Sequence, residues 1–179
     1  METNQQPDAN PVPAGKAEIV YDDFAKIDLV FAALPHGLSQ ALVRDLPRPL
    51  AVVNIGGVAN VTWVGVDDSL LAFDTGPGNG PIDDWCARHA GRRYDTDGML
   101  AARGAVDRAR LERFSEHRFF ARIPPKSLDR GDFSDAWAEG LAVADGAATL
   151  TAGTARALAL AARHFPAPAA QWVICGGGA

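Results

Sequence analysis

Asp74 sits in the second of two glycine-rich turns that follow one another closely. The first reads Asn54-Ile55-Gly56-Gly57-Val58-Ala59-Asn60 and the second Phe73-Asp74-Thr75-Gly76-Pro77-Gly78-Asn79. Glycine has no Cβ and accepts positive φ, so such turns let backbone N–H groups approach a phosphate closely. A carboxylate beside that cradle can serve as a general base. The pairing points to phosphoryl transfer. Each residue also has a plainer reading, Asp74 as a turn-forming aspartate and Gly56-Gly57 as an ordinary hairpin turn.

Other residues could join that chemistry. Gly76, Gly78 and Asn79 precede a predicted helix, whose N-terminal end favours an anion or simply needs a cap. Lys126 is the only lysine beyond position 26 and follows Pro124-Pro125. It either contacts a phosphate or carboxylate or is a solvated loop lysine. Asp95 and Asp97 either cap the next helix or lie near substrate. Asp145 is either a buried polar contact to the nucleotide side or a surface charge. Cys86 and Cys175 lie in no CxxC or Cys/His cluster, which argues against zinc. They read as small buried hydrophobes, and no metal-ligating residues are assigned.

These residues need a sheet and helices to position them. Leu50–Ile55, Val58–Val66 and Leu70–Asp74 read as three strands of an antiparallel meander. Gly56-Gly57 joins the first pair, and Val66-Asp67-Asp68-Ser69 the second. A helix follows, with Pro81 in its first turn, Asp83 and Asp84 near its positive end, and Gly91 closing it. Ile82, Trp85, Cys86 and His89 share one face. Helical stretches are expected over 99–102 and 107–116, and a loop over 122–131. A long alanine-rich helix fills 143–164, since alanine and leucine are strong helix formers. Gln171–Cys175 is a buried strand and Gly176-Gly177-Gly178 follows.

The 179 residues suffice for one domain of about 100–150 residues and a tail. Residues 1–16 are polar and proline-rich and read as a disordered lead. Residues 17–47 read as a helical segment, with a short amphipathic helix over 38–43. Residues 48–179 form the main lobe. The chain is 47% hydrophobic, with 17 basic and 22 acidic residues and a net charge of −5. That balance offers no attraction to nucleic acid or an anionic membrane. No apolar run reaches the ~20 residues of a membrane helix, and no signal peptide is visible at the N-terminus. The expectation is a cytoplasmic protein.

Five motifs in order carry a resemblance. They are the 54–60 and 74–79 segments, Tyr94-Asp95-Thr96-Asp97-Gly98, Pro124-Pro125-Lys126-Ser127 and Cys175-Gly176-Gly177-Gly178-Ala179. Over about residues 48–179 the chain resembles anhydro-N-acetylmuramic acid kinase, of the sugar kinase, actin and heat-shock ATPase superfamily. The resemblance implies an α/β fold, a ribonuclease H-like lobe with an antiparallel meander, a parallel strand and packed helices. It implies ATP, Mg²⁺ and an anhydro-amino-sugar substrate. The family opens the 1,6-anhydro ring with water and phosphorylates O6, giving N-acetylmuramic acid 6-phosphate and ADP in cell-wall recycling. Asp74 resembles the catalytic aspartate that acts on the attacking water. Gly56 and Gly57 resemble the second phosphate loop, and Gly176, Gly177 and Gly178 the adenosine motif. Asn54, Gly76, Gly78, Asn79 and Lys126 are the expected substrate contacts, the sugar's lactyl carboxylate among their targets. The family's Gly/Ser/Thr/Asp-rich first phosphate loop has no counterpart before Pro49, and residues 1–45 match poorly. The chain therefore reads as an incomplete part of the kinase, compatible with a homodimer. The alternative is a non-catalytic sugar- or nucleotide-binding lobe that pairs with another chain.

Overall fold

A computed structural model describes residues 28–31 and 46–178. Its sheet contains β1 (Asp28–Phe31), β2 (Leu50–Ile55), β3 (Val58–Val64), β4 (Leu70–Pro77) and β5 (Gln171–Cys175), in the spatial order β1-β5-β2-β3-β4. The meander is present: β2 pairs antiparallel with β3, and β3 with β4. β5 then adds parallel to β2, as expected of a strand returning after a long helical crossover. β1 lies parallel on the far side of β5, within the stretch read as helical. Its apolar residues are too few for periodicity to separate strand from helix, and the open edge of β5 decides. The helix expected over 38–43 and the lead over 1–16 lie outside the described residues.

The β3–β4 turn is closed by Asp67, whose carboxylate accepts from the Ser69 N–H at 3.2 Å and the Ser69 hydroxyl at 2.6 Å. β4 runs three residues further than the sequence suggested, because a bulge keeps it paired. Ala59 faces Gly76 and Asn60 faces Asp74, so Thr75 is the extra residue. Thr75 is buried, and its hydroxyl donates to the Ala59 carbonyl at 3.0 Å.

α1 (Gly80–Trp85) opens after Asn79 and continues as a π-helical turn over Cys86–Ala90, which Gly91 closes at φ 61°. Ile82, Trp85 and Cys86 are buried, and His89 stacks on Trp85 with ring centroids 3.9 Å apart. The stretch at 99–102 is not an α-helix. It is a pair of 3₁₀ turns, Thr96–Gly98 and Ala101–Arg103. The Asp95 carboxylate takes the Leu100 and Ala101 N–H groups at 2.7 and 2.9 Å and so holds this short segment in place.

α2 (Arg108–Ser115) is capped by Asp107, and α3 (Arg118–Ala121) is a single turn. α4 (Val143–Ala161) is the alanine-rich helix, followed by a 3₁₀ turn to His164. Leu158 and Ala161 of α4 pack on Ala51, Val53, Val61, Phe73 and Trp172 of the sheet. Elsewhere, α4 meets Trp85 and Ile82, and a third cluster holds Leu111, Phe114, Phe119 and Phe120. Each such large apolar side chain contributes roughly 1.5–3 kcal/mol on burial. Both cysteines are buried, and burial pushes both thiols up.

Candidate functional site

The face of the sheet opposite the α4 core carries a polar row. Asn54 of β2 pairs with Asn60 of β3, and Asn60 pairs with Asp74 of β4. Directly opposed residues of antiparallel strands lie on one face, with Cβ atoms about 4.5–5.5 Å apart. Their neighbours Val53, Val61 and Phe73 point the other way, into the core. Three polar side chains are thus lined up at the glycine-rich end of the sheet.

Asp74 is half-buried on the outermost strand of that row. Its N–H donates to the Lys126 carbonyl at 3.1 Å, and its Oδ2 accepts from the Leu128 N–H at 2.7 Å. Oδ1 takes no hydrogen bond among the described residues. One oxygen is therefore held and the other left available, which suits a carboxylate that must accept a proton from a bound molecule.

The hairpin and the turn after β4 interlock through backbone. The Gly56 carbonyl accepts from the Asn79 N–H at 2.7 Å, and the Gly57 carbonyl accepts from Gly78 and Gly80, both at 3.1 Å. A Cβ on Gly78 would lie 2.2 Å from the Gly56 oxygen, so only glycine fits there. This revises the expectation at the start of α1. The N–H groups of 78, 79 and 80 are spent on the hairpin carbonyls rather than held open for an anion. Gly76 lies within β4 against Ala157 of α4.

The 176–178 turn closes the same corner. Gly176 has φ 101° and passes so near Ile55 that a Cβ would lie 2.5 Å from its carbonyl oxygen. The Gly178 N–H donates to that carbonyl at 3.2 Å. The side-chain amides of Asn54 and Asn79 flank the turn, and neither makes a hydrogen bond among the described residues. Asn54, Gly56, Gly57, Gly78, Asn79 and Gly176 to Gly178 are thus brought together from segments more than a hundred residues apart.

Lys126 is not brought into that corner. It is 8% exposed, with Nζ 3.4 Å from the Phe119 carbonyl oxygen and 3.4 Å from His164 Nε2. The ammonium also stands over the Phe73 and Phe119 rings, at 5.5 and 4.7 Å from their centroids. Burial chiefly, then Arg163 and Arg122, lower its pKa from 10.5 to about 8. Asp145 is a structural contact, accepting from the Ala105 N–H at 2.7 Å.

Two residues emerge only from the structure. Asn60 is the centre of the polar row, and its signal was its place in the strand alternation. Arg130 lays its side chain over the hairpin, its Cδ 3.6 Å from where a Cβ on Gly57 would stand and its Nε 3.4 Å from the same point on Gly80. Its guanidinium bonds Asp84 at 3.2 Å, and both side chains are exposed. Nothing local distinguishes it from other loop arginines. Asp83 beside it has a raised pKa, mainly from burial, with Arg130 opposing. No group of three His, Cys, Asp or Glu side chains among the described residues is placed to hold a metal ion. No helix among them is long and apolar enough to cross a membrane.

Comparison with known proteins bears on this corner. A family model described as anhydro-N-acetylmuramic acid kinase matches residues 13–179, starting well before the motifs at 54. The protein of that name from Paramagnetospirillum magneticum is 50% identical over 166 residues, 89% of this chain and 47% of its own length. That of Acidiphilium cryptum is 55% identical, again over 89% of this chain and 46% of its own length. That of Rhizorhabdus wittichii is 54% identical over 140 residues, covering 78% and 38%. The chain therefore spans less than half the length of these curated relatives.

Proposed function

The chain belongs to the anhydro-N-acetylmuramic acid kinase family, and from that premise we propose that it forms the lobe carrying the catalytic base and part of the nucleotide site. The reaction is the hydrolytic opening of 1,6-anhydro-N-acetylmuramic acid with phosphorylation at O6. The observation that carries this reading is the Asn54–Asn60–Asp74 row ending beside two glycine turns, with one carboxylate oxygen of Asp74 tethered and the other available.

In this reading water attacks the anomeric carbon and gives its proton to the available oxygen of Asp74. The bond from that carbon to O6 breaks, O6 takes the terminal phosphoryl group, and N-acetylmuramic acid 6-phosphate and ADP leave. Mg²⁺-bound ATP supplies the phosphoryl group. The fit of a nucleotide rests on close backbone: Gly57 is exposed at the hairpin tip, and Gly177 and Gly178 form an exposed turn without side chains. Arg130 lies across the hairpin, where its guanidinium can exchange Asp84 for phosphate oxygens. The Asn54 and Asn79 amides are the side-chain donors next to that turn, and Asn60 the donor beside Asp74. The Mg²⁺ that the family reading implies would come bound to the triphosphate, whose charge it would offset. The setting is cytoplasmic, and a homodimer is compatible with the same reading.

The test is Asp74→Asn in a complete kinase carrying these residues. A positioned base contributes about 10²–10⁴-fold, so kcat should fall by that much while ATP affinity stays within about threefold. Turnover that survives the substitution refutes the role of Asp74.

A further inference from the structure

We infer that Lys126 is a positioning residue for Asp74: its buried ammonium anchors the 126–128 loop that grips the edge of β4 and holds the carboxylate. The inference rests on the reading of Asp74 as the base and concerns how that base is kept in place.

Among the described residues β4 is the edge strand of the sheet on this side, and no further strand there holds its outer backbone. The loop does so instead. The Asp74 N–H donates to the Lys126 carbonyl at 3.1 Å, and two residues on the Leu128 N–H reaches the Asp74 carboxylate at 2.7 Å. The Lys126 side chain leaves toward the opposite face. There its ammonium lies over the ring of Phe73, the residue before Asp74, and donates to the Phe119 carbonyl. Neighbouring strand residues point to opposite faces. The loop therefore clasps β4 from its edge and from both sides, with the ammonium as the inner jaw and the Leu128 amide as the outer.

The chemistry of the inner jaw is unusual for a purely structural anchor. A buried ammonium is costly unless it is paired, and no carboxylate pairs with this one among the described residues. The charged groups around it are cationic. Arg163, after α4, bonds the Phe120 carbonyl, and Arg122 precedes the loop. His164, also after α4, has its pKa lowered mainly by burial and next by Lys126. A methionine would fill the same space between Phe73 and Phe119 without that cost. What the ammonium adds is direction: it donates to one carbonyl and faces two rings, which fixes the loop backbone at 126 and hence the donor at 128.

Amide hydrogen exchange by NMR on the chain and on Lys126→Met tests this. Exchange at the Asp74 and Leu128 amides should accelerate at least tenfold, while the β2 and β5 amides stay within twofold. In the unsubstituted chain, the Leu128 amide resonance should shift with a midpoint near pH 8, as Lys126 loses its proton. Unchanged exchange at both amides, or equal acceleration across the whole sheet, overturns the inference. So does a Leu128 resonance that stays still between pH 7 and 9, and this series decides alone if Lys126→Met does not fold. Asp74→Asn with retained turnover would overturn the base reading yet leave these amide results standing, so the two failures are separable.

Discussion

Asp74 gains its chemical character from what its two oxygens do. One is tied to the Leu128 amide and the other is not, and a charge-assisted bond of that kind is short and strongly directional. The tie fixes the side chain while leaving a lone pair to meet a proton. Arg130 is the opposite case, a side chain with little to hold it. Its exposed pairing with Asp84 is worth about 0–1 kcal/mol, so Arg130→Met should leave thermal stability nearly unchanged. If the guanidinium meets the triphosphate, that variant loses a charge-assisted bond worth about 1.5–3 kcal/mol. Calorimetry should then show MgATP binding weakened by about tenfold or more. Unaltered affinity would remove Arg130 from the nucleotide site.

The strands and turns cooperate through backbone rather than side chains. The β2–β3 hairpin presents its Gly56 and Gly57 carbonyls to three successive N–H groups at the entrance of α1, which satisfies donors that a helix start otherwise leaves open. The bulge at Thr75 lets β4 continue into that entrance, and bulges commonly re-aim the chain beside functional sites. The interlock depends on Gly78. Gly78→Ala forces its new Cβ against the Gly56 carbonyl oxygen, and overpacking of that kind costs about 1–3 kcal/mol. A denaturant titration should show that loss, and the exchange protection of the Asn79 and Gly80 amides should fall with it. Full stability in the alanine variant would mean that the two turns are not coupled.

For the molecule as a whole, burial of ionisable groups gives stability a particular pH dependence. Lys126 has a folded pKa of about 8 against an ordinary 10.5. Between those values the unfolded chain binds more protons, so stability rises with pH. From pH 8 to 9 the gain is about 1 kcal/mol, or roughly 2–4 °C in Tm for a chain of this size. Above about pH 9 the two buried thiols act the other way. Their folded pKa values are raised, so the unfolded chain loses protons first and stability falls. His164 contributes at the acid side: its folded value lies below 6.5, so stability is lost as pH falls below that point. Thermal melts from pH 6 to 10 should show a maximum near 9. In Lys126→Met the rise between 8 and 9 should vanish, and its persistence would exclude Lys126 as the source.

Much of this was legible from the order of residues alone. An apolar run marked β2, alternation marked β3, Gly56-Gly57 and the polar 66–69 stretch marked the turns, and alanine richness marked α4. These are local signals, set by Cβ sterics and side-chain periodicity within a few residues. Asp74 and the glycines could be singled out because their types carry the chemistry. What the linear order could not show was pairing across distance. Asn60 became part of the site only through its register with Asn54 and Asp74. Lys126 looked like a loop cation available to substrate, yet the loop turns its ammonium in toward Phe73 and Phe119. Arg130 reached the hairpin because that same loop passes over it. β1 is a strand because β5 offered an open edge. In each case a backbone partner far along the chain decided where the side chain went, and only the folded sheet supplies that partner.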